Sequence, residues 1–116
     1  MQRDRFRRLV LRAIRSLPPE LAGYLDNVDI VIEREPRRGD LAPGEDDLFG
    51  LYVGTPLTER EQYGMTLPDR IVIFQGPIER HFDPRDIPRE VRTTVIHELA
   101  HHFGIDDERL ETLGLG

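Results

Sequence analysis

Four residues near the end of this 116-residue chain have the types and spacing for chemistry at a metal ion: His97, Glu98, His101 and Asp107. If the segment around them is helical, His97 and His101 lie one turn apart and about 40° around the axis. Both imidazoles then reach one ion. Glu98 lies beside that ion rather than pointing at it, which is where a general base must sit to take a proton from an activated water. A catalytic zinc takes three protein ligands and keeps one position open, and it lowers the pKa of a water it polarises to about 7. Gly104, three residues after His101, lets the chain leave the helix sharply with a positive φ. Asp107, three residues further on, can then swing back as the third ligand; Glu108 and Glu111 are the alternative donors.

Composition narrows the chemistry. The chain has no cysteine, so disulfides, thiolate metal sites and cysteine nucleophiles are excluded, and a soft-metal site must use histidine and carboxylate. That donor set suits a catalytic zinc better than a structural one. The formal net charge of −6 argues against broad, sequence-independent binding to nucleic acid. No apolar run is long enough to span a bilayer. The arginines near the N-terminus are followed by no apolar stretch of the signal-peptide kind, so the expectation is a soluble cytoplasmic protein with neither membrane nor nucleic acid as partner. Length favours one domain over residues 1–116.

The stretch His97-Glu98-x-x-His101-x-x-Gly104-x-x-Asp107 resembles the metzincin-type zincin motif in the variant with Asp as third ligand. More closely, the run from Val95 to Glu108 is similar to the minimal zincin-like family of small bacterial zinc metallopeptidases. Gly50-Leu51-Tyr52-x-Gly54 and Leu67-Pro68-Asp69-Arg70-Ile71-x-Ile73-Phe74 fit the same family, so the resemblance extends over residues 20–116. It implies zinc held by His97, His101 and Asp107, Glu98 as base, and a peptide or protein as substrate. Two departures stand out. The only methionines, Met1 and Met65, lie upstream of the motif, so there is no methionine turn beneath the metal. The chain runs nine residues past Asp107, which leads us to expect no lower subdomain and a cleft completed by a partner or by self-association.

Two other functions fit parts of the pattern. The bacterial rRNA-maturation metalloproteins, which are endoribonucleases, use a related three-ligand pattern but normally lack the glutamate. A non-catalytic zinc-binding interaction module would suit a short chain.

The elements that must position these residues follow from periodicity and breakers. Phe6, Leu9, Val10, Ala13, Ile14 and Leu17 recur at helical spacing, with arginines on the other face. Such a basic helix can touch an anionic membrane or RNA; the plainer expectation is a surface helix packed on the core. Pro18-Pro19 stops it, and Pro19 opens a short second helix to Leu25. Strands are expected over 28–33, 48–53 and 71–74, with loops over 34–47 and 55–69. Gly76-Pro77 ends the third strand, and one helical turn follows to Phe82. The motif helix starts near Asp86–Pro88 and ends at Gly104, with Val91, Val95, Leu99 and Phe103 as its apolar stripe. A last short helix, capped by Asp106 or Asp107, ends near Leu113. This order predicts an α+β domain of minimal zincin-like fold, its small mixed or antiparallel sheet packed against the motif helix.

Side chains outside the motif carry further expectations. His102 lies about 140° around the helix from His97 and should pack or hydrogen-bond elsewhere. His81 is read as solvated, and Thr93 and Thr94 as bonding back to helix carbonyls. Glu108 and Glu111 are candidates to orient the imidazoles. An extended peptide could add to the edge of strand 48–53 or 71–74. Tyr52 or Tyr63 could polarise a carbonyl, with packing as the alternative role.

Overall fold

Phe6, Val10, Ala13 and Leu17 are buried and Leu9 and Ile14 pack against them, so the apolar stripe near the N-terminus forms a helix, α1 (Arg3–Arg15). This is a computed structural model, and it describes residues 1–45, 47–54 and 68–114. Tyr63, Met65 and most of the loop expected over 55–69 lie outside those residues. Pro19 opens α2 (Pro19–Ala22), and a 3-10 turn over Gly23–Leu25 completes the short second helix.

Three strands follow, β1 (Val28–Glu33), β2 (Gly50–Val53) and β3 (Asp69–Phe74). They form one sheet of order β1-β3-β2 among the described residues. β3 pairs in parallel with β1, Ile30 facing Ile71, and antiparallel with β2, Tyr52 facing Ile71. The sheet is therefore mixed, and the most apolar strand lies in its centre, buried from Ile71 to Phe74. β2 is shorter than expected because Leu48 and Phe49 only approach the sheet, although Phe74 N still donates to Phe49 O at 2.9 Å. On the β1 side, the Arg3 guanidinium donates to the carbonyl of Ile32.

The third strand ends at Phe74, and Gly76-Pro77 falls within the next helix rather than in a break before it. A helix, α3 (Gln75–His81), begins directly after Phe74, with Pro77 in its first turn, where a missing N–H leaves no bond unmade. Gly76 is required by close approach: a Cβ there would stand 2.2 Å from Glu35 Oε1 and 2.8 Å from Arg34 O. After a 3-10 turn at Pro84–Asp86 comes the long helix α4 (Ile87–Phe103), which Gly104 ends in the left-handed region at φ 68°. The last helix is α5 (Asp107–Thr112).

Val91, Val95 and Leu99 form the buried stripe of α4 and meet α1, β2 and β3 in one core. Phe103 departs from the expected stripe. It is 41% exposed and rests on Tyr24, with ring centroids 4.8 Å apart. Leu99 lies between Glu98 and His101 on the helix and is fully buried in the core, which ties the motif turn to that core. Leu99→Ala is expected to lower stability by about 2–5 kcal/mol, the usual cost of a leucine-to-alanine cavity, as read by chemical denaturation. Among the described residues no helix is long and apolar enough to cross a membrane.

Candidate metal centre

α4 passes close to β2, and Gly50 makes that possible. A Cβ at Gly50 would lie 2.5 Å from Thr94 Cγ2 and 3.2 Å from Val72 O. Gly50→Ala is therefore expected to push β2 off α4 and lower the melting temperature, which thermal unfolding would register. Thr94 Oγ1 donates back to Glu90 O at 2.8 Å, as its place one turn before His97 suggested.

The close approach brings the motif to the sheet edge. Tyr52 N donates to Glu98 Oε1 at 2.8 Å. Composition and spacing gave no hint of this bond, because it depends on which strand lies beside α4. The carboxylate is thereby fixed in direction.

His97, Glu98, His101 and Asp107 all line one open cavity of about 770 Å³. Asp40, Glu45 and Leu48 border it from the loop side, and Leu51, Ile105 and Leu110 give it apolar walls. Asp107 reaches this cavity because of the turn at Gly104. Ile105 N donates to Ala100 O at 2.9 Å, closing the end of α4, and Asp107 then becomes the first residue of α5. Asp106 supplies the cap, accepting from Arg109 N at 2.8 Å, which leaves the Asp107 carboxylate uncommitted to capping. His97, His101 and Asp107 are each exposed to solvent. Among the described residues, however, no three histidine or acidic side chains converge on a single ion position. The structure places the expected ligands on one wall without drawing them to one point. Glu108 and Glu111 are exposed on α5 and border no part of the cavity.

His102 points elsewhere, as its angle on the helix required. Its ring stacks on Tyr52 at 3.8 Å between centroids and 13° between planes. Tyr52 is in turn held by its hydroxyl, which donates to Asp69 Oδ2 at 2.6 Å. Packing rather than carbonyl polarisation is the role this geometry gives Tyr52.

His81 corrects an expectation. It is not merely solvated: its Nε2 lies 3.2 Å from Asp47 Oδ2, at the end of α3. Arg80 beside it bridges Glu35 and Asp47. This cluster anchors the segment that leads into Leu48 and β2, and so shapes the cavity rim. The hydrogen bond from Arg80 holds the Glu35 carboxyl below its ordinary pKa. Burial pushes Asp47 up, but bonds from Arg80, the Leu48 amide and His81 outweigh it and leave that carboxyl lowered too. A lowered carboxyl stabilises the fold above its unfolded pKa, near 4, and that stability fades as pH falls through the folded value. Arg80→Gln is expected to raise both carboxyl pKa values toward ordinary ones in an NMR titration and to make unfolding less sensitive to acid.

Comparison with known proteins bears on the whole arrangement. No curated protein matches the sequence. Among solved structures, the chain is similar to a conserved hypothetical protein from Thermo thermophilus, with 23% identity and a TM-score of 0.59 over 89% of this chain and 94% of that one. At that identity the likeness speaks to the fold. The family model for zincin-like metallopeptidases matches residues 25–116, which takes in the three strands, α4 and the whole stretch from His97 to Asp107. A match of that extent, over the elements that build the cavity as well as the motif on its wall, establishes that the chain belongs to the zincin-like metallopeptidase family.

Proposed function

We propose that the protein is a zinc-dependent peptidase acting on a cytoplasmic peptide or protein, with zinc held by His97, His101 and Asp107 and Glu98 as general base. The observation that carries this reading is the sharing of one cavity by all four side chains, beside the edge strand β2. The donor chemistry fits: two imidazoles and a carboxylate suit zinc, and all three side chains are exposed on the wall of one cavity. Bound there, zinc would supply Lewis acidity toward water and the scissile carbonyl.

The remaining work falls to the chain itself. Glu98 Oε1 is occupied by the Tyr52 amide, which leaves Oε2 to take a proton from the attacking water and return it to the departing nitrogen. Asp106 keeps α5 in register so that Asp107 stays on the cavity wall. Leu51, Ile105 and Leu110 present apolar surface to a substrate side chain. Among the described residues β2 lies at the edge of the sheet, with β3 on its other side, and it offers an extended peptide its backbone groups other than the Tyr52 amide, which Glu98 holds.

The test is cleavage of a mixed peptide library by zinc-loaded protein, followed by mass spectrometry. Cleavage should stop on chelation and return with added zinc. Intact peptides in the presence of fully zinc-loaded protein would sink the peptidase reading while leaving the metal site standing.

A further inference from the structure

The motif helix carries two pairs of side chains spaced one turn apart. His97 and His101 form the first pair and line the cavity. Glu98 and His102 form the second, turned about 100° around α4 from the first. Both members of the second pair meet the same residue of β2. Glu98 Oε1 accepts from Tyr52 N at 2.8 Å, and the His102 ring stacks on the Tyr52 ring with centroids 3.8 Å apart. α4 therefore grips Tyr52 twice, at its backbone and at its ring.

Two further contacts fix that ring. The Tyr52 hydroxyl donates to Asp69 Oδ2 at 2.6 Å. Tyr52 pairs with Ile71 across the ladder, so Asp69, two residues earlier on β3, is its diagonal neighbour on the same face of the sheet. Phe103 meets the ring edge-on, at 5.9 Å between centroids and 89° between planes, and leans in turn on Tyr24. The ring is thus held on one face, at one edge and at its hydroxyl. Its backbone has a demanding task. Among the described residues, Tyr52 N is the only group that donates to the Glu98 carboxylate. A glutamate side chain is long and has much rotamer freedom to lose, so a lone donor directs it well only if the donor itself is fixed. β2 cannot supply that alone, because it has four residues and among the described residues pairs with β3 on one side only.

We infer that His102 and Asp69 are positioning residues for Glu98, acting through Tyr52. The stack from His102 and the bond to Asp69 hold the Tyr52 ring, the ring holds the backbone of β2, and the Tyr52 amide aims the Glu98 carboxylate. The next pair along α4 from the candidate metal ligands therefore sets the rotation of the helix against the strand. That Glu98 serves as a base rests on the peptidase reading; that its carboxylate is held in this way rests on the contacts alone.

The test is amide hydrogen exchange of the whole protein, read by NMR at one fixed pH without substrate. The Tyr52 amide is followed against the Phe74 amide, which donates to Phe49 O at 2.9 Å in the same sheet and serves as the control. His102→Ala removes the stack from an exposed position, and Tyr52→Phe removes the hydroxyl while keeping the ring. Each should speed Tyr52 exchange about tenfold relative to Phe74. His102→Phe keeps a ring on Tyr52 and should restore the wild-type rate. Where the zinc-loaded protein cleaves peptides, His102→Ala should also lower kcat about tenfold with KM and zinc stoichiometry unchanged, and His102→Phe should recover it. Unchanged Tyr52 exchange in both variants would overturn the inference. So would equal acceleration of Tyr52 and Phe74, which marks general loosening of the sheet, or wild-type kcat in a variant whose Tyr52 exchange has quickened. Exchange needs no substrate, so failure of the wild type to cleave any peptide sinks the peptidase reading and leaves the exchange rates to decide whether Tyr52 is held in this way.

Discussion

Glu98→Gln is expected to lower peptide hydrolysis by about 10²–10⁴-fold while zinc stoichiometry stays at the wild-type value, the range that loss of a positioned general base gives. The change is chosen for what it preserves. The Tyr52 amide donates to Glu98 Oε1, and the carbonyl oxygen of glutamine accepts the same bond. The contact between β2 and α4 therefore survives, and a fall in rate reports lost proton transfer rather than a moved strand. Alanine at the same place would also remove the acceptor and confuse the two effects. Elemental analysis and a cleavage assay on one preparation separate them. Glutamine at 98 with wild-type turnover would remove Glu98 from the reaction.

Zinc affinity should fall by two orders of magnitude or more in His101→Ala, since even partners that only orient a ligand cost about 10–100-fold when removed. The neighbouring histidine supplies the contrast. His102 is one residue away but stacks on Tyr52, so His102→Ala should disturb that packing and leave zinc affinity unchanged. The acidic pair offers the same comparison. Asp106→Ala removes the cap on Arg109 N and should cost about 1 kcal/mol of stability. Asp107→Ala should cost little stability and most of the zinc. Competition titration with a chromogenic chelator measures all four. Equal zinc loss from His101→Ala and His102→Ala would place the metal elsewhere.

Much of this was legible in the sequence because the signals were local. The 3.6-residue recurrence of Val91, Val95 and Leu99 needs only the helix itself, as does the stop at Gly104. The β-branched run of β3 marked a strand, but it lies at the centre of the sheet, so the expectation that 71–74 could offer an edge to an extended peptide does not hold. Residue type and position narrowed the last cap to Asp106 or Asp107, and the structure uses Asp106. What could not be read was non-local. Glu98 meets Tyr52 across 46 positions of chain, and only the parallel crossover from β1 to β3, with β2 outside, brings them together. His81 looked solvated because its partner, Asp47, is 34 positions away. Phe103 matched the apolar stripe in spacing, but α4 has run past the sheet by then, so its ring rests on Tyr24 instead. The third ligand was read from spacing, and the structure puts Asp107 on the cavity wall without closing the set around one point.

Among the described residues the sheet has three strands and so two edges, and unpaired edges invite other chains to add to them. Here each edge meets a charged side chain from a helix. The Arg3 guanidinium occupies a carbonyl on β1, and the Glu98 carboxylate occupies an amide on β2. The same glutamate that is poised for proton transfer therefore also guards the sheet against self-assembly. Any variant that shortens it exposes a backbone donor on a four-residue edge and should raise the tendency of concentrated protein to aggregate.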